Sequence, residues 1–341
     1  MDRRSFMGLA GLYPALALLP GPSKAQGGQA PAQQPDSRSG TQIVLSGDYG
    51  YEKKSIRDLD IGATIDARMA SFTVANSRNS NPDATTGCDE GELAINRYPV
   101  VVENCPGVRF VGGRFDGKVP LTSDWQDTYC NSAALLVRNG TTGATIESVR
   151  VRRCWDAIRI GEGAGGFRLK GCWLSETRDD AMENDYLLSG IVEDCLFDEC
   201  FSGISVDPAK NARDGTGQVV RIDGSLIHMH GYLAKGEVTH EAPIKATEKS
   251  PMLRITGSVF ALAAANMRGF RRLGRTWHKT IESRDNVLLW LPGESIPFDL
   301  PPPPSGFRVL TGASAREYWD KARLKWIAAH RDVARFSDEV M

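Results

Sequence analysis

One short pattern recurs in six segments of this 341-residue chain, and it constrains the fold more than any other feature. Each segment has two or three alternating apolar residues, a small or turn residue, and a second short apolar stretch. The segments begin at Val108, Ile146, Phe167, Ile191, Val220 and Leu253. Self-similarity at a period of roughly 20 to 30 residues, without helical periodicity, is typical of a β-solenoid.

Small residues recur within the repeat. Counting along the units places Cys154, Cys172 and Cys195 at one position, with Gly224 and Gly257 following there. Equivalent positions of a coil stack about 4.8 Å apart, and a narrow interior accepts small side chains at such a position. A β-sandwich, the alternative for short strands with turns, has no such requirement. We therefore predict an all-β chain that forms a right-handed parallel β-helix (solenoid), with the cysteines as small core residues.

The N-terminus predicts export. Residues 1–25 contain the pair Arg3-Arg4 followed by an apolar run, which is typical of a twin-arginine signal peptide. The run is about a dozen residues long, whereas a membrane-spanning helix needs roughly 20. Residues 26–40 are rich in Gly, Pro, Gln and Ser and predict a disordered leader. We expect a periplasmic or secreted protein without a stable membrane span.

The remaining chain divides into a solenoid and its ends. We predict the parallel β-helix over 41–300, with an irregular N-terminal cap over 41–101. Residues 301–341 contain a Pro-rich linker and a C-terminal α-helix, for which Ser314 and Glu317 have capping-box spacing. One face of that helix is apolar and contains Ala315, Trp319, Ala322, Trp326, Ala329 and Val333. We expect this face to pack on the solenoid; binding to a membrane surface or a partner is the alternative.

Strand alternation predicts one polar surface. Successive side chains of a strand point to opposite faces, so a residue between two inward isoleucines points outward. The same count on successive coils predicts an exposed column that contains Arg159, Glu183, Ser205 and Lys245. At the turn that enters these strands stand Asp156, then Asp179 and Asp180, then Ser202. Polar groups from separate parts of the chain are therefore expected to converge on one face.

Carboxylates on neighbouring coils suggest acid and base chemistry. Mutual repulsion raises the pKa of at least one of them. Glycoside hydrolysis uses one carboxylic acid to protonate the leaving oxygen and a second carboxylate to activate water, which fits between them at about 6.5 to 9.5 Å. The alternative is structural, because aspartates at turns bind their own backbone and Glu183 can form surface ion pairs with Arg159 and Lys245.

These motifs resemble those of the pectin-lyase-like parallel β-helix superfamily. Its polygalacturonases carry Asn-Thr-Asp, Asp-Asp, Gly-His-Gly and Arg-Ile-Lys on successive rungs. This chain has, in the same order, Cys154-Trp155-Asp156, Asp179-Asp180, Phe201-Ser202-Gly203 and Pro243-Ile244-Lys245. The resemblance implies that Asp179 is the general acid, that Asp156 and Asp180 hold the attacking water, and that Lys245 binds a substrate carboxylate.

The resemblance covers residues 146–246 and has clear departures. Ser202 stands where the family has histidine, and Pro243 stands where it has arginine. Three functions therefore stay open. The first is a glycoside hydrolase acting on an acidic, uronate-containing polysaccharide. The second is a polysaccharide lyase, in which Arg159 or a metal neutralises the uronate and Lys245 or another base removes a proton. The third is a non-catalytic protein that binds a glycan.

Further residues are candidates for substrate or metal binding. Trp125 and Tyr129 precede a strand and could form an aromatic wall for a sugar ring, or pack a loop against the coil. Asp185 and Tyr186 follow the Glu183 strand and are expected at the other edge of the groove. Both segments resemble a group of bacterial β-helix proteins of uncertain activity.

No cofactor is implied by the sequence, although Ca²⁺ is a candidate ligand of the acidic cluster. His228 and His230 lie two residues apart on one strand and would need a third ligand to hold a metal. The formal net charge of −1 and the absence of long runs of like charge argue against nucleic acid as a partner.

Overall fold

The computed structural model describes four parts of the chain: residues 40–74, 98–129, 132–264 and 269–334. The predicted signal peptide over 1–25, and the predicted leader except for Gly40, lie outside the described residues. No helix within the described parts is both long enough and apolar enough to span a bilayer.

The first coils contain β1 (Gln42–Asp48), β2 (Lys54–Arg57), β3 (Thr64–Val74), β4 (Val100–Glu103), β5 (Arg109–Val111) and β6 (Arg114–Gly117). The next contain α1 (Trp125–Thr128), β7 (Ala133–Arg138), β8 (Thr145–Glu147), β9 (Arg150–Arg152), β10 (Asp156–Ile160), β11 (Phe167–Lys170), β12 (Trp173–Ser175) and β13 (Asp180–Glu183). Then follow β14 (Gly190–Glu193), β15 (Leu196–Cys200), β16 (Ser202–Val206), β17 (Val219–Asp223), β18 (Leu226–Met229), β19 (Tyr232–Ala234) and β20 (Glu237–Thr239). The last are β21 (Ile244–Ala246), β22 (Met252–Thr256), β23 (Val259–Leu262), α2 (Phe270–Lys279), β24 (Thr280–Arg284), β25 (Asn286–Trp290), β26 (Phe307–Thr311), α3 (Gly312–Ala329) and α4 (Arg331–Ala334).

Parallel ladders run along three sides of the coil. The site sheet consists of β2, β4, β7, β10, β13, β16 and β21. The middle ladder runs from β1 and β3 through β5, β8, β11, β14, β17 and β22 to β24. The helix-covered ladder runs from β3 through β6, β9, β12, β15, β18, β23 and β25 to β26. The predicted all-β parallel β-helix is confirmed; among the described strands, the hairpin β19–β20 is antiparallel.

Identical positions of successive coils stack in the core. On the site sheet, strand pairing aligns Leu135, Ile158, Met182, Ile204 and Ile244, and all five side chains are fully buried. Each apolar side chain therefore contacts its equivalents above and below, which is why an alternating pattern repeated at coil spacing produces a continuous core.

The predicted cysteine ladder is partly wrong. Register pairs Trp173 with Leu196, so Cys172 and the residue before Leu196, Cys195, are neighbours. Cys154 stands elsewhere, because β9 pairs with β12 and places Val149 beside Cys172 instead. Cys154 lies in the turn after β9, whereas Cys172 lies in the turn before β12, so the two cysteines occupy different corners of the coil. The cysteines in the described residues are nevertheless buried and free, as expected of core residues.

The predicted glycines also lie one residue away from the cysteine position. Ser225 follows Cys195 in that stack and donates through its backbone to Ser258 Oγ at 3.2 Å. Gly224 and Gly257 occupy the preceding tight turn with φ of 59°. A left-handed turn needs a residue that tolerates positive φ, which explains why glycine recurs there.

Both ends of the solenoid differ from the sequence prediction. Instead of an irregular cap over 41–101, β1 and β2 already pair in parallel with later strands. The strand β1 was missed because Ile43, Val44 and Leu45 are apolar in sequence, without alternation. At the other end, β26 pairs with β25 beyond the predicted boundary at residue 300.

The C-terminal helix packs on the outside of the solenoid, as we expected. Ala315, Trp319, Trp326 and Val333 are buried, although Ala329 is exposed. Their apolar partners lie on the outer face of the helix-covered ladder: Trp173, Leu196, Leu226, Val259, Ala261, Val287 and Leu289.

The predicted capping box is wrong. The helix α3 begins at Gly312 with Thr311 as its N-cap; the Thr311 side chain makes no capping hydrogen bond, and Glu294 Oε1 accepts one from the Ala313 backbone N–H at 3.1 Å. Ser314 Oγ donates to the Thr311 carbonyl at 2.8 Å, and Glu317 pairs with Lys321 instead of reaching back to the N-terminus. A strand that runs directly into the helix leaves no turn in which the box could form.

Candidate active site

Strand pairing assembles the polar column that the sequence predicts. Arg159 is beside Glu183, Glu183 is beside Ser205, and Ser205 is beside Lys245 on successive strands of the site sheet. The expected exposure of this column is wrong, because Glu183, Ser205 and Lys245 are buried and Arg159 is mostly buried. The long charged side chains shield one another by lying across neighbouring carboxylates.

Three aspartates meet where the chain enters these strands. One carboxylate oxygen from each of Asp156, Asp179 and Asp180 lies within 4.8 Å of the others. Asp156 Oδ1 accepts a hydrogen bond from the Asp180 backbone N–H at 3.0 Å, which links the two coils. The limit of 4.8 Å between the aspartate oxygens is shorter than the about 6.5 to 9.5 Å typical of an inverting pair. It matches the span of a water molecule that bridges two oxygens at about 2.8 Å each.

Lys245 and Ser202 hold Asp180, the second residue of the Asp179-Asp180 pair. Lys245 Nζ is 2.7 Å from Asp180 Oδ1 and donates to Asp179 Oδ1 at 3.3 Å. Ser202 Oγ also donates to Asp180 Oδ1. The Ser202 hydroxyl therefore contacts a carboxylate of the cluster. Lys245 comes from the coil after Ser202, so its contacts depend on the register of three strands.

Arginine organises the other side of the cluster. Arg159 Nη2 donates to Asp156 Oδ2 at 2.9 Å, and Arg159 Nε donates to Glu183. Arg159 Nη1 donates to the Tyr98 hydroxyl at 2.6 Å. Tyr98 precedes β4 and was not predicted from the sequence, since nothing in the surrounding residues indicates its partner.

A second pair of carboxyl groups lies next to this arginine. Glu183 and Asp185 share a hydrogen bond, and Ser205 Oγ donates to Asp185 Oδ1 at 3.1 Å. Burial and this hydrogen bond raise the pKa of Asp185 to about 9. Burial and the charge of Asp156 raise the pKa of Glu183 to about 8 against the opposing effect of Arg159. The site therefore retains protons on carboxyl groups near neutral pH.

The aspartates are similarly perturbed. Burial raises the pKa of Asp156 to about 8, although Arg159 opposes the shift. Burial and the neighbouring Asp180 raise the pKa of Asp179 to about 7, against Lys245. Burial alone would lower the pKa of Lys245, but the two carboxylates in contact raise it well above its usual range. The lysine is consequently an ammonium that compensates the buried acids.

The aspartates differ in their access to solvent. The side chain of Asp179 is 17% exposed, compared with 5% for Asp180 and 2% for Asp156. Asp179 Oδ2 has no hydrogen bond to any described residue, whereas both oxygens of Asp156 accept one. Among the three, Asp179 is therefore the group that a ligand in the groove would reach.

Aromatic residues flank the turn before Asp156. The Trp125 and Tyr129 rings lie 5.0 and 5.2 Å from the buried Trp155 ring, and 5.6 Å from each other. Trp125 also packs beside Phe201 and Tyr232. These contacts match the second interpretation of the two residues, in which the loop packs against the coil. Trp155 was not identified as their partner from the sequence, although it stands in the first motif.

A buried arginine connects that loop to the turn that contains Asp179. Arg178 Nη2 donates to the carbonyls of Ser123 and Leu233 at 2.7 and 3.2 Å. Its guanidinium lies 4.7 Å from the centre of the Tyr232 ring. Since Arg178 directly precedes Asp179, it couples α1 and the hairpin to the position of the candidate acid. This role was not predicted, because an arginine beside Asp-Asp looks like a surface residue in sequence.

Tyr186 does not join the carboxyl cluster directly. It lines a separate cavity of about 350 Å³ together with Glu162, Leu188, Arg213 and Gln218. Of the predicted edge pair, Asp185 therefore faces the cluster, and Tyr186 lies farther along the same coil.

The three aspartates are also the residues that could hold a metal ion, since they offer three oxygens within 4.8 Å of one another. Lys245 already places a positive charge between two of them. The predicted histidine pair is used differently: His228 Nδ1 lies 3.2 Å from Asp198 Oδ1 and its ring packs 4.8 Å from Trp319 of α3.

Comparisons of the chain with protein-family models, with curated proteins and with solved structures gave no match. The fold and the site together define a parallel β-helix protein with a buried, partly protonated carboxyl cluster. The likeness to the pectin-lyase-like superfamily rests on the short motifs alone and stays a prediction.

Proposed function

We propose that this protein is an exported glycoside hydrolase that acts on an acidic, uronate-containing polysaccharide. The observation that carries the proposal is the environment of Asp179. It is the most accessible of the three aspartates, its pKa is raised to about 7, and it adjoins two carboxyl groups that are held from other directions. A carboxyl group that keeps its proton near neutral pH beside further carboxylates suits general acid catalysis.

Each group then has one role in the reaction. Asp179 donates its proton to the glycosidic oxygen as the bond to the anomeric carbon breaks. A water molecule attacks that carbon, and its proton passes to Asp180, because Asp156, with a pKa raised to about 8, already holds a proton near neutral pH. Lys245 stabilises the negative charge that Asp179 acquires, since its Nζ is 3.3 Å from Asp179 Oδ1. The carboxylate left on Asp179 is reprotonated from solvent, which its partial exposure permits.

Lysine chemistry argues against the lyase alternative. A lyase base must be unprotonated to remove a proton next to the uronate carboxyl group. The raised pKa of Lys245 keeps it protonated, and Arg159 is already engaged by Asp156, Glu183 and Tyr98. The glycan-binding alternative predicts binding without turnover, so product analysis distinguishes it from the hydrolase and the lyase.

The test is product analysis with purified protein and acidic plant and bacterial polysaccharides. The hydrolase proposal predicts new reducing ends without the absorbance near ~235 nm that an unsaturated lyase product shows. Binding without either signal would support the glycan-binding alternative. Because the aspartates are closer than a typical inverting pair, the anomeric configuration of the first product, followed by NMR, decides between inversion and retention.

The variant Asp179→Asn should lower turnover by about 10²- to 10⁴-fold, the usual contribution of a general acid, while binding and folding persist. Asp285→Asn is the matched control, because Asp285 is 78% exposed and asparagine tolerates its positive φ of 57°. Full activity of Asp179→Asn on a verified substrate would contradict the assignment.

A further inference from the structure

A second cavity adjoins the C-terminal end of the site sheet. Its volume is about 310 Å³, near the lower limit of ~300 Å³ for small-molecule sites. Ala246 and Thr247 line it from the solenoid, and Arg271, Arg272 and Arg275 line it from α2. The strand β21 is the last in the site sheet, and α2 packs against it. The helix therefore stands where another coil would continue the groove.

Positive charge exceeds negative charge in this cavity. Its lining contains the three arginines and two acidic residues, Glu241 and Glu248. Arg275 pairs with Glu248, and Arg272 Nη1 pairs with Asp207 Oδ2 at 2.6 Å, while Arg272 Nε lies 3.9 Å from Glu241 Oε2. Arg272 and Arg275 are therefore compensated by ion pairs, and the excess charge of the cavity lies at Arg271.

Arg271 is the arginine with the least compensation. It is exposed and forms no ion pair with any residue in the parts of the chain that the structure describes. Arg271 and Arg275 are four residues apart on α2, so their side chains extend from the same face of the helix. Two planar guanidinium groups on one face suit a ligand with carboxylate groups, which arginine binds through two parallel hydrogen bonds.

The cavity adjoins the candidate active site. Ala246 directly follows Lys245, and the positive charge of Arg272 acts on the Lys245 ammonium. From the coil of Asp179, α2 lies three coil spacings along the solenoid, which is about 14 Å at ~4.8 Å per coil. A ligand that contacts both Asp179 and α2 is consequently an oligosaccharide of several units.

We infer that the α2 cavity is an anion-binding subsite, in which Arg271 and Arg275 bind a carboxylate of the polysaccharide several sugar units from the bond that is cleaved. The identity of this ligand rests on the proposed function, whereas the cavity and its charge do not. The subsite favours uronate chains over neutral chains and longer oligomers over shorter ones. It contributes to binding and takes no part in proton transfer.

The experiment is calorimetric titration with hexagalacturonate, using Asp179→Asn protein so that the oligosaccharide is not cleaved. Adding Arg271→Gln and Arg275→Gln should weaken binding at least tenfold, and Arg271→Gln alone should account for part of that loss. The affinity for digalacturonate, which is too short to reach α2 from Asp179, should stay the same. Raising the salt concentration should reduce the difference between the parent and the double variant, because screening weakens exposed charges.

Arg221→Gln is the matched control, since Arg221 is exposed on the middle ladder and away from the groove. The single variant Arg271→Gln removes no ion pair within the described residues, so its result does not depend on a change in folding. Equal hexagalacturonate affinity of the double variant and its parent would overturn the subsite, as would a parent that does not bind the oligomer.

Failure of the hydrolase proposal gives a different result. If hexagalacturonate binds in an arginine-dependent manner but the protein with Asp179 intact releases no reducing ends from polyuronate, the subsite stands and the proposed reaction is wrong. If reducing ends appear and the arginine variants bind normally, the reaction stands and the subsite is wrong.

Discussion

Two outer faces of the same solenoid have opposite chemistry. On the helix-covered ladder, apolar side chains such as Trp173 and Leu226 point away from the core and are covered by α3. On the site sheet, the outward charged side chains form ion pairs, in which Arg159 pairs with Glu183 and Lys245 pairs with Asp180. Both faces are largely buried, and the apolar face is buried by the helix α3.

The difference shows how one backbone supports two roles. Apolar burial is favourable and non-directional, so a helix with the right apolar face can dock there. Burial of charge is costly and depends on exact partners, so it raises the pKa of carboxyl groups instead of adding stability. Substitutions on the helix-covered ladder should therefore change stability, and substitutions on the site sheet should change titration and activity.

The largest stability effect should come from Trp326→Ala. Trp326 is buried against Trp173, and its Nε1 donates to the Asp194 carbonyl at 3.1 Å. Truncation of a buried tryptophan costs about 3–5 kcal/mol, which chemical denaturation can measure. Leu324→Ala on the same helix is the control, because Leu324 is 62% exposed and its loss should change little. A marked loss of turnover in folded Trp326→Ala protein would contradict the separation of the two faces.

A smaller effect is expected for Arg159→Met. Removing the arginine leaves Asp156 and Glu183 without their compensating charge, at a cost of about 2–3 kcal/mol near pH 8, below the ~3–5 kcal/mol of a fully buried pair. The loss should shrink near pH 5, because both carboxyl groups are then protonated. Arg221→Met, which breaks the exposed pair with Asp223, should cost at most about 1 kcal/mol. Equal losses at both pH values would contradict the electrostatic explanation.

The last effect is the pH dependence of stability. Carboxyl groups whose pKa is higher in the folded than in the unfolded protein bind protons more tightly when folded, so they stabilise the fold at low pH. For Asp179 and Asp185, with pKa values of about 7 and about 9, this contribution is lost as the pH rises to about 9. The thermal midpoint should fall between pH 5 and pH 9, because both groups lose their protons in the folded protein within this range.

Asp179→Asn serves as the comparison for the pH experiment. It removes one of the titrating groups, so the thermal midpoint of the variant should fall less between pH 5 and pH 9. An identical slope in the variant and the parent would show that Asp179 does not titrate in this range.

The sequence indicated much of the site because strand alternation and coil register are local properties. Ile158 and Met182 pair as counted, and the column from Arg159 to Lys245 follows from that pairing. The cysteine position could not be counted in the same way, since Cys154 follows β9 whereas Cys172 precedes β12. The helix α2 was not predicted at all, and its three arginines were therefore missed as part of the groove.

What the sequence determined by itself was the parallel β-helix and the face on which polar residues collect, because both follow from a two-residue alternation repeated at coil spacing. Only the tertiary structure decided that the column is buried, that Tyr98 engages Arg159, and that Lys245 lies between two aspartates. These contacts join residues that are distant in sequence and depend on side-chain reach across coils. Burial and charge, and with them the pKa values of the site, are set by that packing.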